Sequence, residues 1–324
     1  MSDERTAKTF FAALATHSLL REEKMAIRNF AQLVEGALAR APKRVAIVGG
    51  GQRQTLHAAR LARGMGLADC ILIDDPSRVR LVADEEGVDL TGMQIIDERD
   101  MVEAAYKAVG MVHAEEADLV MNGRAQPVEL MKAALDKEKG LRIGKVISDV
   151  STFEIPDFDR LIFISDVAIV VSPNLAQKVA IVQNAIDTAI ELGVEQPKVA
   201  ILAATEMVNP EMPANMDAAN LSKMAERGQI RGGLVDGPLA LDNAISAKAA
   251  AMKGIDSQVA GRADILITPD VESGNILAKA IAYFAHGHMA AVVVGAKCPI
   301  VMPSRSDPPE QKLMSLALGI YLTK

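Results

Sequence analysis

The chain has 324 residues, half of them hydrophobic, with no Trp, few aromatics and a net charge of −7. That length suits two domains better than one, and Ala, Val, Ile, Leu and Met must do the packing. An acidic balance without a Lys/Arg block argues against nucleic acid, no apolar run reaches membrane-spanning length, the amino terminus lacks an apolar signal core, and two widely separated cysteines, Cys70 and Cys298, exclude a disulfide framework, so the cytoplasm is the expected compartment.

Residues 6–20 and 24–40 read as two helices ahead of the first strand, the second with Phe30, Leu33, Val34 and Leu38 on one face. Pro42 breaks the pattern and 43–48 is a strand. Gly49-Gly50-Gly51 then leads into a helix over 52–64, a step that resembles a phosphate-binding turn. The GxGxxG spacing fails, because Thr55 or His57 stands where the third glycine belongs, and a tight turn under a packed helix is the favoured reading. Strands at 70–74, 93–97 and 117–121 alternate with helices starting at Pro76, Met101 and Pro127, and the third strand ends in Asn122-Gly123-Arg124. This is the pattern of a largely parallel sheet with helices on its faces.

A second series begins with a strand at 145–151. Residues 161–164 and 167–171 are apolar and close together, which predicts a hairpin or consecutive strands around Ser165-Asp166. Pro173 opens a helix to Leu192, 198–203 is a strand, 205–213 a polar loop and 216–227 a helix. A strand at 233–236 ends in Asp236-Gly237-Pro238, and one helix is predicted over 239–252.

The stretch from 263 to 307 carries the most chemistry. A strand at 263–268 ends in Pro269-Asp270, and Glu272-Ser273-Gly274-Asn275 opens a helix with Ile276, Leu277, Ala280, Ile281 and Phe284 at helical spacing. A strand at 290–294 follows. The chain then runs through Ile300-Val301-Met302 into Pro303-Ser304-Arg305-Ser306-Asp307, and a helix at 309–321 closes it. Both polar turns follow the carboxyl ends of apolar strands, where open α/β sheets place ligands. Free N–H groups at a helix start favour an anion, and an arginine between two serines can grip a phosphate with forked donors. His286 and His288 straddle Gly287 with no third ligand close by, so no metal site is expected. Cys298 reads as a buried thiol rather than a nucleophile.

In their order and spacing, several motifs resemble the phosphate acetyl/butyryltransferase family from about Lys43 onward. They are Ala117-Asp118 with Asn122-Gly123, Glu206-Met207-Val208-Asn209-Pro210 with Met212-Pro213, the run from Val235 to Ala244, Ala263-Asp264-Ile265-Leu266 with Pro269, Glu272, Gly274-Asn275-Ile276-Leu277 and Lys279, and Ser304-Arg305-Ser306-Asp307. The DGPLALDNA run and the VNPxMP loop resemble the butyryl branch more than the acetyl branch.

The resemblance implies exchange of a short acyl group between coenzyme A and inorganic phosphate, butyryl-type, by direct attack in a ternary complex. Acyl-CoA and phosphate are then the partners, with coenzyme A a substrate rather than a resident cofactor, and the chain a homodimer. A phosphate acetyltransferase with the same mechanism is the alternative. The implied fold is two-domain, three-layer α/β/α, like the isocitrate/isopropylmalate dehydrogenases, with the active-site cleft between the domains. The expected division is 1–145 with 296–324 as the first domain, residues 1–40 adding a helical segment, and 146–295 as the second.

Residue by residue, the resemblance gives Arg305 to the phosphate and Ser304 to the developing oxyanion, with Ser306 also able to reach the phosphate. In the acetyl branch an aspartate six residues after the arginine is proposed to take the thiol proton. Here that position is Gln311, which leaves Asp307 and Glu310 as candidates; both also suit the start of the last helix. Ser273, Gly274 and Asn275 are expected to form a second wall of the pocket, or a helix cap. Asn122, Gly123 and Arg124 are expected to face the cleft, and Lys279 to pair with a carboxylate or reach the ligand. Asp236 and Asp242 are expected as loop anchors or cleft lining. Two readings compete: a metal-dependent decarboxylating dehydrogenase, which needs clustered aspartates, and an inactive CoA- or acyl-phosphate-binding protein, which Gln311 keeps open.

Overall fold

The computed structural model describes residues 26–324. The helix expected at 6–20 lies outside them, as does the start of the one expected at 24–40. Within them, α1 (Phe30–Leu38) begins where the Asn29 side chain accepts the Gln32 N–H, a polar N-cap that satisfies one of the first turn's free donors.

Among the described residues eleven strands form one sheet, in the order β3-β2-β1-β4-β11-β10-β5-β6-β9-β7-β8. One half holds β1 (Lys43–Val48), β2 (Ala68–Asp74), β3 (Gln94–Asp97), β4 (Leu119–Asn122) and β11 (Ile300–Val301), all parallel. The other holds β5 (Ser148–Glu154), β6 (Ile162–Ser165), β7 (Lys198–Leu202), β8 (Leu234–Leu239), β9 (Ile265–Ile267) and β10 (His288–Val294). There β6, β9, β7 and β8 are parallel, β5 is antiparallel to β6, and β10 is antiparallel to both β5 and β11.

Side-chain alternation along each strand divides the core into layers. In β1, Val45 and Ile47 enter one core while Ala46 and Val48 enter another. The first core lies under α1, α2 (Arg53–Gly64), α3 (Pro76–Glu86), α6 (Leu175–Glu191), α7 (Pro213–Glu226) and α11 (Pro309–Leu322). On the opposite face, α4 (Met101–His113) and α5 (Pro127–Ala134) cover the first half. There α8 (Leu241–Ile245), α9 (Ala247–Met252) and α10 (Val271–Phe284) cover the second half. The result is the three-layer α/β/α arrangement that the resemblance implies. No described helix is long and apolar enough to cross a membrane.

Helix α11 joins the two halves. It is buried from Lys312 to Tyr321. Its Gly319 presses so closely on β11 that a Cβ there would come within 2.6 Å of Val301. Its Ser315 hydroxyl accepts the Ala291 N–H of β10 at 3.1 Å.

Three local expectations are corrected. Residues 167–171 form no strand, because the Asp166 carboxylate captures the N–H groups of Ala168, Ile169 and Val170 at 2.8, 2.8 and 3.1 Å, and those donors are lost to any ladder. The helix expected over 239–252 is two helices, broken at Ser246, whose backbone is extended and whose hydroxyl caps α9 through the Ala249 N–H. The strand expected at 145–151 starts later, at Ser148, where pairing with β10 begins.

Candidate active site

Because β11 and β4 run parallel, with Ile300 opposite Val120 and Val301 opposite Met121, the turns that follow them leave the sheet side by side. The turn after β11 carries Ser304, Arg305, Ser306 and Asp307. Arg305 is exposed. Its Nη2 donates to Gln126 Oε1 at 2.6 Å, and its carbonyl accepts from Gln52 Nε2 at 3.4 Å. The hydroxyls of Ser304 and Ser306 lie 3.0 Å apart. A guanidinium and two hydroxyls are therefore gathered on one short turn, a donor set suited to a phosphate or acyl phosphate.

The backbone of that turn is held from below. Ser304 N–H donates to Asp307 Oδ2 at 2.8 Å, and the Ser304 carbonyl accepts both the Asp307 N–H at 3.1 Å and Lys312 Nζ at 2.8 Å. Asp307 is buried, which raises its carboxyl pKa, while the Ser304 N–H, Lys312, Lys279 and Gln311 pull it back down. Lys312 is 0% exposed, and burial pushes its ammonium down to about 8 against the pull of Asp307.

Lys279, on α10 in the other half of the sheet, favours the charged form of Asp307 through its positive charge. Strand β9, which leads into α10, runs in the opposite sense to β11. The two polar turns that follow them therefore do not share one edge. Ser273, Gly274 and Asn275 sit near the start of α10, six, five and four residues before Lys279, or about 6–9 Å along the helix. Their bonds run elsewhere. Ser273 N–H and hydroxyl donate to Asp270 Oδ1 at 2.8 and 2.7 Å, and Asn275 Nδ2 donates to the Val167 carbonyl at 3.3 Å. Gly274 is pressed against the Asp166 carbonyl, which a Cβ would approach to 2.5 Å. These three residues build the joint between α10 and the Asp166 loop.

On the β4 side, Gly123 fits because a Cβ there would come within 2.2 Å of the Gly49 carbonyl. Asn122 is buried, with its Nδ2 on the Ala125 carbonyl and its Oδ1 unpartnered. The Arg124 guanidinium is engaged with Asp74: Nε donates to Oδ2 at 2.8 Å and Nη2 to Oδ1 at 2.6 Å. Asp74 also accepts the Gly51 N–H at 2.8 Å. The triple-glycine turn is thus a packed turn, and its last N–H is spent on a protein carboxylate. Arg124→Met leaves the buried Asp74 charge with backbone partners alone, and the expected loss is about 3 kcal/mol of stability. Urea unfolding measures it; an unshifted midpoint sinks the assignment.

The remaining candidates have partners within the protein. Asp236 accepts the Gly237 N–H and the Ser257 hydroxyl. Asp242 pairs with Lys253, which also reaches Glu206. Both thiols are buried, and burial pushes Cys70 and Cys298 up to about 12, so neither is poised as a nucleophile. Gln52, Gln126 and Lys312 were not singled out by the sequence reading.

Residues 98–320 match the family described as Phosphate acetyl/butaryl transferase. The chain is 41% identical over 293 residues to a phosphate butyryltransferase of Clostridium acetobutylicum, covering 90% of this chain and 97% of that protein. It is 42% identical over 277 residues to a phosphate acetyltransferase of Thermotoga maritima, covering 86% and 94%. Among solved structures, a branched-chain phosphotransacylase from Enterococcus faecalis V583 superposes with a TM-score of 0.77 at 30% identity, covering 87% of this chain and 99% of that one.

Proposed function

Because the chain belongs to the phosphate acetyl/butyryltransferase family and is a phosphate acyltransferase, we propose that it exchanges a butyryl-type acyl group between coenzyme A and phosphate by direct attack in a ternary complex. The observation that carries this reading is the turn at 304–307, whose Arg305 guanidinium and two neighbouring hydroxyls stand on a backbone fixed from beneath. Arg305 holds the phosphate and Ser304 donates to the carbonyl oxygen as charge builds on it. Ser306 assists at the phosphate, and Lys279 adds positive charge from the other half. The CoA thiolate sulfur bonds to the acyl carbon, and the carbon–oxygen bond to phosphate breaks, the electron pair leaving with phosphate; the reverse reaction runs the same path.

Asp307 is the proposed acceptor of the thiol proton. Burial raises its proton affinity toward the range a general base needs. Asp307→Asn keeps an oxygen for the Ser304 N–H but cannot take a proton, so kcat is expected to fall; the loss of the charge opposing Lys312 also lowers stability, so rates are compared where the variant is folded. An unchanged kcat would leave Asp307 with the turn alone.

A cleft between residues 1–145 with 296–324 and residues 146–295 is the proposed place for coenzyme A; the antiparallel pairing of β10 with β11 at that boundary supports the division. Ile276, Tyr283 and Phe284 expose apolar surface along α10, which supports a homodimer; light scattering should give the mass of two chains, and a one-chain mass would sink it. The cytoplasm is the proposed compartment.

The test is phosphate-dependent release of CoA from acetyl-, propionyl- and butyryl-CoA. A rate that requires phosphate and is highest with butyryl-CoA is expected. A maximum at acetyl overturns the chain-length assignment, and no release from folded protein overturns the reading.

A further inference from the structure

We propose that Lys312 is a positioning residue for acyl transfer: buried beneath the turn, its side-chain nitrogen fixes the Ser304 carbonyl and so aims the Ser304 hydroxyl and the Arg305 guanidinium. The inference rests on the functional reading above for its kinetic consequences, but on geometry for its substance.

A lysine in this place demands a reason. Its helix neighbours Leu313, Met314, Leu316, Ala317 and Leu318 are all buried apolar residues, and a leucine or methionine would continue that pattern without a desolvation cost. A wholly buried ammonium is tolerated only where it is bonded and opposed by charge. The bond is to the Ser304 carbonyl at 2.8 Å, and the opposing charge is Asp307. Asp307 in turn feels Lys279 from α10, and neutral Gln311 lies beside it on α11. Two donors, Lys312 Nζ and the Asp307 N–H, thus meet at one carbonyl.

That carbonyl is the pivot of the turn. It accepts from Lys312 Nζ and from the Asp307 N–H, while the Ser304 N–H is held by the Asp307 carboxylate. The peptide units on both sides of Ser304 are therefore fixed, and neither can rotate without breaking a bond. The donor bond, rather than charge, does the fixing, since a neutral amine still carries N–H groups.

The test is Lys312→Met, which preserves most of the stem and removes the donors. Removing one partner of a buried charged pair leaves Asp307 unopposed by Lys312 and is destabilising, so the melting temperature should fall, and rates are compared at a temperature where the variant is folded. Misaiming the turn should lower kcat for phosphate-dependent CoA release roughly tenfold to a hundredfold, raise the phosphate KM and leave the acyl-CoA KM close to wild type. Amide exchange at Ser304 and Asp307, whose N–H groups are bonded within the turn, should quicken. Lys312→Gln, which keeps a shorter donor, should recover part of the lost kcat. Wild-type kcat, phosphate KM and amide exchange in Lys312→Met overturn the proposal. If Lys312→Met does not fold, wild-type kcat in a folded Lys312→Gln overturns it instead. If the wild-type protein itself releases no CoA, it is the functional reading that fails, and exchange at Ser304 and Asp307 alone then decides the positioning role.

Discussion

Arg305→Lys is expected to raise the phosphate KM and lower kcat together, with kcat/KM for phosphate down by about ten- to a hundredfold, the equivalent of losing one hydrogen bond between charged groups. Arg305 stands exposed on its turn with Nη2 on Gln126 and its carbonyl touched by Gln52, so the guanidinium plane is set from a neighbouring turn. A guanidinium presents two parallel donors to two phosphate oxygens. An ammonium presents a point charge on a flexible stem, which keeps the attraction and loses the fork. The substitution touches no buried contact, so stability should move by less than about 0.5 kcal/mol. Steady-state rates with phosphate varied at saturating acyl-CoA measure the effect, and a melting curve controls for folding. An unchanged phosphate KM in the folded variant removes Arg305 from the site.

How much of this was legible beforehand depends on whether the deciding interaction is local. The helix after Pro127, the strand at 43–48 and the turn at 304–307 were readable because proline, a short apolar run and polar punctuation act within a few residues. The run at 167–171 misled because its strand-like composition says nothing of a carboxylate that takes three of its N–H groups. The Asp74–Arg124 pair spans 50 positions, and no periodicity points from one to the other. The opposite senses of β9 and β11 follow from the antiparallel pairings of β10 and β5. Two motifs that look alike in sequence, each a polar turn after an apolar strand, therefore take different places: one carries Arg305, the other anchors a helix whose Lys279 acts on Asp307 from a turn and more further along. The gathering of Ser304, Arg305, Ser306 and Asp307 needed no tertiary knowledge, since they are consecutive. What holds them, Lys312 and Gln126, did.

Ser304→Ala is expected to lower kcat by about a hundred- to a thousandfold, the usual effect of deleting one oxyanion donor. The geometry makes this substitution unusually clean. Every bond that shapes the turn at Ser304 uses its backbone: the N–H to Asp307, the carbonyl to Lys312 and to the Asp307 N–H. The hydroxyl's bond in this set is to Ser306, 3.0 Å away, so alanine removes a donor without releasing the loop. Arg305 keeps its aim, and the phosphate KM should stay close to wild type while kcat falls, the mark of an interaction made in the transition state and not in the ground state. Ser306→Ala provides the contrast. If Ser306 serves the phosphate, its loss should raise the phosphate KM and cost less in kcat. If the two hydroxyls substitute for each other at the oxyanion, each single variant should be mild and the double variant severe. A Ser304→Ala enzyme with wild-type kcat, together with a wild-type double variant, would take the oxyanion role away from this turn altogether.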